Sequence, residues 1–137
     1  MSPDIPLPRV YEFVIPSIAL PVDQQYRRKE NLGTLYSGTV TASGSSSDIS
    51  VDNFSAAELE LKVTSVSGTS PTMDIYIEGK FEATGDYKTL ASQTGITATG
   101  TWFFTLNPLI FRYIRIRWVV GGTSPSFTFT VAGQAIV

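Results

Sequence analysis

Glu58 and Glu60 come nearest to a catalytic pair in this chain. Two apart on one strand, they share a face with α-carbons about 6.6 to 7 Å apart, a spacing a glycosidase pair could use. Such a pair works only where a cleft raises one of the two pKa values. Lys62 continues this face, and the equivalent strand further on carries Arg115 and Arg117, so the acids read as a solvated charged face with cross-strand pairing. Asp48, Asp52 and Asn53 are hard oxygen donors beside a serine-rich stretch. They lack EF-hand spacing and read as a turn capped by its own side chains, with no metal expected. Ser43–Ser47 lacks the Gly-x-Ser-x-Gly elbow and reads as a flexible loop.

The wider composition points the same way. There is no His and no Cys, which removes thiolate nucleophiles, disulfides, His-based triads, zinc fingers and haem ligation together. No catalytic residues and no cofactor are expected, and the chain reads as a non-enzyme. Its net charge of -2 provides no basic field to gather phosphates, so nucleic acid is not an expected partner.

Binding is the remaining chemistry. Arg27, Arg28 and Lys29 form the one basic cluster, flanked by Asp23 and Glu30, which suits a protein surface better than a nucleic-acid groove. Outward-facing Tyr76 and Tyr113, with Phe103, offer an aromatic platform on which a sugar could stack, which keeps a carbohydrate-binding module open as an alternative.

These residues need elements to hold them. The chain has 137 residues, enough for one domain of ordinary size, and at 42% hydrophobic and 16% charged it should fold. The longest apolar segment, Val10–Leu20, is cut by Glu12 and Pro16 and does not span a membrane; no membrane partner is expected. Met1–Pro8 has no basic start and three prolines, so export through a secretory signal is not indicated.

Five of the eight prolines, Pro3, Pro6, Pro8, Pro16 and Pro21, lie in the first 21 residues and exclude a helix there. The spacing predicts an extended arm, with a polar linker or single helical turn after it, over residues 1–33. Val10, Tyr11, Phe13, Val14, Ile15, Ile18 and Leu20 make that arm apolar, so it needs a surface to cover. They are the expected oligomer or partner contacts, together with Arg27, Arg28 and Lys29.

Residues 34–137 read as all-β. Short alternating runs are separated by turn residues, the pattern of a two-sheet antiparallel β-sandwich, jelly-roll-like and about eight-stranded. Four runs should form the core: Leu59, Leu61 and Val63; Met73, Ile75 and Ile77; Ile114, Ile116 and Trp118; Phe127, Phe129 and Val131.

The chain also repeats itself. Val66-Ser-Gly-Thr-Ser-Pro-Thr-Met-Asp-Ile-Tyr-Ile-Glu-Gly79 matches Val120-Gly-Gly-Thr-Ser-Pro-Ser-Phe-Thr-Phe-Thr-Val-Ala-Gly133, and Val40-Thr-Ala-Ser-Gly44 echoes Ile96-Thr-Ala-Thr-Gly100. A pseudo-twofold pair of half-sandwiches is expected, one per repeat, with each Gly-Thr-Ser-Pro as a hairpin connection.

With these hairpins, the Glu78-Gly79 to Leu90 connection and Arg112-Tyr-Ile-Arg-Ile-Arg-Trp118, residues 34–137 resemble small β-sandwich structural proteins of tailed bacteriophages. The resemblance is greatest to head decoration (cement) or auxiliary capsid proteins. It implies a virion protein on the capsid surface, assembled in the host cytoplasm. It also implies a homotrimer that contacts the major capsid protein and reinforces its joints. Neck, tail or baseplate placement stays open. Tyr-Ile-Arg-Ile is also similar to a strand of discoidin-like carbohydrate-binding sandwiches, from which this chain departs in its proline-rich arm and lack of cysteine.

Overall fold

The computed structural model describes residues 28–137. Seven strands follow one another: β1 (Lys29–Val40), β2 (Gly44–Ser45), β3 (Ile49–Ser50), β4 (Ala56–Lys80), β5 (Lys88–Ile96), β6 (Gly100–Leu106) and β7 (Tyr113–Ile136). The described residues form an all-β, antiparallel structure without helix. β1 takes in residues 29–33, placed in the linker by the sequence reading, and the Val137 amide donates to the Arg28 carbonyl at 2.9 Å. Of the residues expected to make arm contacts, Val10, Tyr11, Phe13, Val14, Ile15, Ile18, Leu20 and Arg27 lie outside the described residues.

Hydrogen bonds join all seven strands into one sheet built on two long strands, β4 and β7. These pair with each other from Ala56↔Ile136 to Lys80↔Tyr113, and register shifts interrupt the pairing between Ser67 and Thr72. Before the shift, β4 lies between β7 and β6; after it, β4 lies between β7 and β5. β7 in turn carries β1 along its later part and β2 and β3 along its earlier part. The sheet therefore has two halves. One, the β6 half, runs β1, late β7, early β4, β6; the other, the β5 half, runs β2 and β3, early β7, late β4, β5.

The Gly-Thr-Ser-Pro segments are not hairpin turns. Each lies inside a continuous long strand, and the two meet at the crossing, where Thr69 pairs with Thr123. Gly68 and Gly122 have φ of 115° and 109°, and Ser70 and Ser124 both have φ of 50°. A Cβ on Gly68 would stand 2.7 Å from the Ser124 carbonyl oxygen, and one on Gly122 would stand 2.6 Å from that of Ser70. Glycine is required at both positions by conformation and by space. Residue types that make a turn can equally bend a strand; the long-range pairing decides between them.

The repeat does not divide into one half-sandwich per copy either. β1 and early β4, from the first copy, and β6 and late β7, from the second, build the β6 half; the remaining strands of both copies build the β5 half. Each copy crosses over, so the halves are interlocked through β4 and β7.

The alternation expected of the four central runs holds throughout. Leu59, Leu61, Val63, Met73, Ile75, Ile77, Ile114, Ile116, Trp118, Phe127, Phe129 and Val131 are all buried in one cluster. At about 1.5 to 3 kcal/mol for each large side chain, this burial dominates the stabilisation of the domain. Both halves contribute to that cluster and meet within it. Tyr36 of the β6 half packs on Trp118 of the β5 half, ring centres 4.6 Å apart, and on Phe129 at 5.1 Å.

Candidate functional site

The outward side chains of the β5 half form one network of cations, carboxylates and tyrosines. Strand register makes it: β4 and β7 pair Glu78 with Arg115, Tyr76 with Arg117 and Lys80 with Tyr113. Glu78 is buried and receives both guanidinium groups, Arg115 Nε at 2.9 Å on one oxygen and Arg117 Nε at 2.8 Å on the other. Arg117 lies over the Tyr76 ring at 4.3 Å and Arg115 over the Tyr87 ring at 3.5 Å. A carboxylate shared in this way has both oxygens engaged by charge-assisted hydrogen bonds.

Lys80 is also buried. Its Nζ reaches Asp48 at 2.6 Å, donates to the Ala83 carbonyl at 2.9 Å and lies over Tyr87 at 4.6 Å. Tyr87 donates its hydroxyl to the other Asp48 oxygen. Partial burial opposes charge on Asp48, but the hydrogen bonds from Lys80 and Tyr87 and the nearby Lys80 and Arg115 charges outweigh it. They hold the carboxyl below its usual value. The hydrogen bond to Asp48 holds the Lys80 ammonium above its usual value, aided by Tyr87 and opposed by desolvation.

Of the hard oxygen donors Asp48, Asp52 and Asn53, Asp48 pairs with Lys80 and Asp52 with Arg112 at 3.5 Å. Among the described residues no group of three or more carboxylate, His or Cys side chains could hold a metal. The serine-rich stretch is hydrogen-bonded along β7. Ser43 and Ser46 accept hydrogen bonds from the Val120 and Ile116 amides, each at 2.9 Å, so hydroxyl groups line the edge of β7 where β2 pairs with it.

The β6 half presents a different outward face. Glu58, Glu60 and Lys62 of β4 stand opposite Gln134, Ala132 and Thr130 of β7. Glu58 accepts a hydrogen bond from Thr105 at 2.6 Å. The expected pairing of these acids with Arg115 and Arg117 does not form, because those arginines belong to the other half and spend their charge on Glu78. Thr39–Thr128 and Ser37–Thr130 hydroxyl pairs, at 2.7 and 3.1 Å, complete this face toward β1. Around Glu58 and Gln134 lie two contiguous depressions of about 240 Å³ each.

The three aromatic residues proposed as a platform are separated between the halves. Tyr76 and Tyr113 belong to the β5 half, the first beneath Arg117 and the second 5.8 Å from the Lys80 ammonium. Phe103 lies on β6 opposite Glu60, 62% exposed. Of the basic cluster, Arg28 pairs with Glu30 at 2.8 Å and Lys29 opens β1. Sequence reasoning missed Glu78, Lys80 and Tyr87. Pairing the two Gly-Thr-Ser-Pro segments antiparallel would have placed Glu78 beside Arg115; nothing in the sequence signals Tyr87.

No protein-family model matches the chain, and no curated protein matches it by sequence. Solved structures do share its fold. The SPBc2 prophage-derived protein YomS superposes with a TM-score of 0.50 at 16% identity, covering 80% of this chain and 94% of that one. A chain in the structure of infectious bursal disease virus, Gx strain, superposes with a TM-score of 0.52 at 14% identity, covering 80% of this chain and 32% of that one. The PBSX exported protein XepA gives a TM-score of 0.49 at 17% identity over 80% of this chain and 36% of that one. This chain spans about a third of the length of the last two.

Proposed function

We propose that this protein is a non-enzymatic structural component of a bacteriophage virion that decorates the capsid surface. On this reading the halves pack as a jelly-roll-like sandwich and serve as a rigid block. The arm, through residues 10–20 and the basic residues 27–29, clamps a neighbouring subunit in a homotrimer seated on the major capsid protein. The observation that carries the reading is the fold, shared with a prophage-derived chain over 94% of that chain's length. The charge network agrees with it, since Glu78, Asp48 and Asp52 are each paired with a cation. Repetition of weak contacts over many copies on one shell would supply the affinity.

Particles purified by density gradient from the host that carries the gene test this directly. Quantitative mass spectrometry should find the chain in the particle fraction at many copies per particle, lost from heads when its gene is deleted. A chain found only in the soluble fraction overturns the proposal.

A further inference from the structure

The β6 half carries a trough where the β5 half is filled. At equivalent places in the repeat, Ala132 stands where Glu78 does and Thr130 where Tyr76 does, so β7 carries smaller side chains along this stretch of sheet. The two depressions there share Glu58 and Gln134 and run from Phe103 past Ala132 to Ala56, Ile136 and Lys29. Phe103 and Ile136, 62% and 40% exposed, are the apolar ends. Among the described residues, neither Glu58 nor Glu60 pairs with a cation.

We propose that this trough is the seat of the apolar arm segment Val10–Leu20. The proposal deepens the arm reading above by saying where the arm seats, and the experiment below reads whether that seat is on a neighbouring chain, as the clamp requires, or on its own. The first described strand points to this occupant, because Lys29 lines one end of the trough and the chain outside the structure begins just before it. Leu20 precedes Lys29 by nine residues, up to about 30 Å of extended chain. The trough from Ala132 to Ile136 is roughly 13 Å of strand, which holds a run of four or five extended residues of the segment. Apolar Val10, Tyr11, Phe13, Ile15 and Ile18 match its exposed ends, and Arg9 brings a cation to its unpaired carboxylates. Docking on a sheet face also suits the prolines. Adding a strand to an edge uses backbone donors that Pro16 and Pro21 lack, whereas side chains laid across a face need none.

The absence of native cysteine makes the test direct. Full-length chains carry Phe13→Cys, Ile15→Cys or Ile18→Cys together with Ala132→Cys, or with Ser92→Cys on β5 as the control, and are oxidised in solution. At least one arm position should form a disulfide with residue 132 ten-fold or more faster than any does with residue 92. A product of two linked chains supports both the seat and the clamp between subunits. A bond within one chain supports the seat while overturning the clamp. Rates equal to the control overturn the seat and leave the clamp to stand or fall on oligomer mass. A second readout avoids oxidation: Ala132→Arg should speed chymotryptic cleavage at Tyr11 and Phe13 at least five-fold in the full chain, and an unchanged rate counts against the seat.

Discussion

The two halves of the sheet share a frame and differ in what they display. Inward, the β6 half offers Leu59, Leu61 and Val63 and the β5 half offers Ile114, Ile116 and Trp118 at the matching places, all buried. Outward, at the same strand positions, Glu60 faces Ala132 in one half and Arg115 faces Glu78 in the other. The repeat is thus kept where packing demands it, in the core and at the bend, and abandoned on the surface. One half has a face closed by internal ion pairs. The other has shallow depressions and an exposed phenylalanine, the surface proposed above as the seat of the arm.

The bend should show the halves at their most alike. Gly68→Ala and Gly122→Ala each place a Cβ against backbone at a φ that L-residues avoid, and each should cost about 3 kcal/mol or more in urea unfolding. Unequal losses would break the pseudo-twofold account of the crossing. The outward faces should then diverge. Glu78→Ala strands Arg115 and Arg117 and should cost about 3 kcal/mol, whereas Glu60→Ala at the matching level of the sheet should stay within about 0.5 kcal/mol.

The Asp48–Lys80 pair sharpens the contrast through pH. Asp48 titrates below its usual 3.8 in the folded chain, so its contribution is complete above that value and is lost as pH falls through the lower folded value. Lys80 titrates above 10.5, so its contribution is complete below that value and disappears as pH rises through the higher folded one. Urea midpoints across pH should fall at both ends for the native chain and flatten in Asp48→Asn. The smallest effect belongs to the hydroxyl pairs of the β6 half: Thr39→Ala should cost about 0.5 to 1 kcal/mol by loss of its bond to Thr128, read from the same unfolding curves.

How much of this was legible in the sequence depends on the range of the interaction. Period-two alternation is local, and it identified all four central runs and their inward faces. The bend was misread because Gly at positive φ, a polar pair and Pro serve hairpins and strand bends alike. Only the pairing of Thr69 with Thr123, fifty-four residues away, tells them apart. The partner of Arg115 was misjudged for the same reason: the choice of Glu78 over Glu60 follows from which half each strand segment enters. Tyr87 and Asp48 reach Lys80 and Arg115 from connections between strands, where no periodicity guides inference.

The central claim is that this chain assembles through its arm, and solution mass tests it most directly. Light scattering would compare the full chain with a full-length variant carrying Tyr11→Ser, Phe13→Ser, Ile15→Ser and Ile18→Ser. The account predicts a trimer that becomes a folded monomer when the four side chains are changed. A native chain that is already monomeric, or an oligomer untouched by the four substitutions, would contradict it.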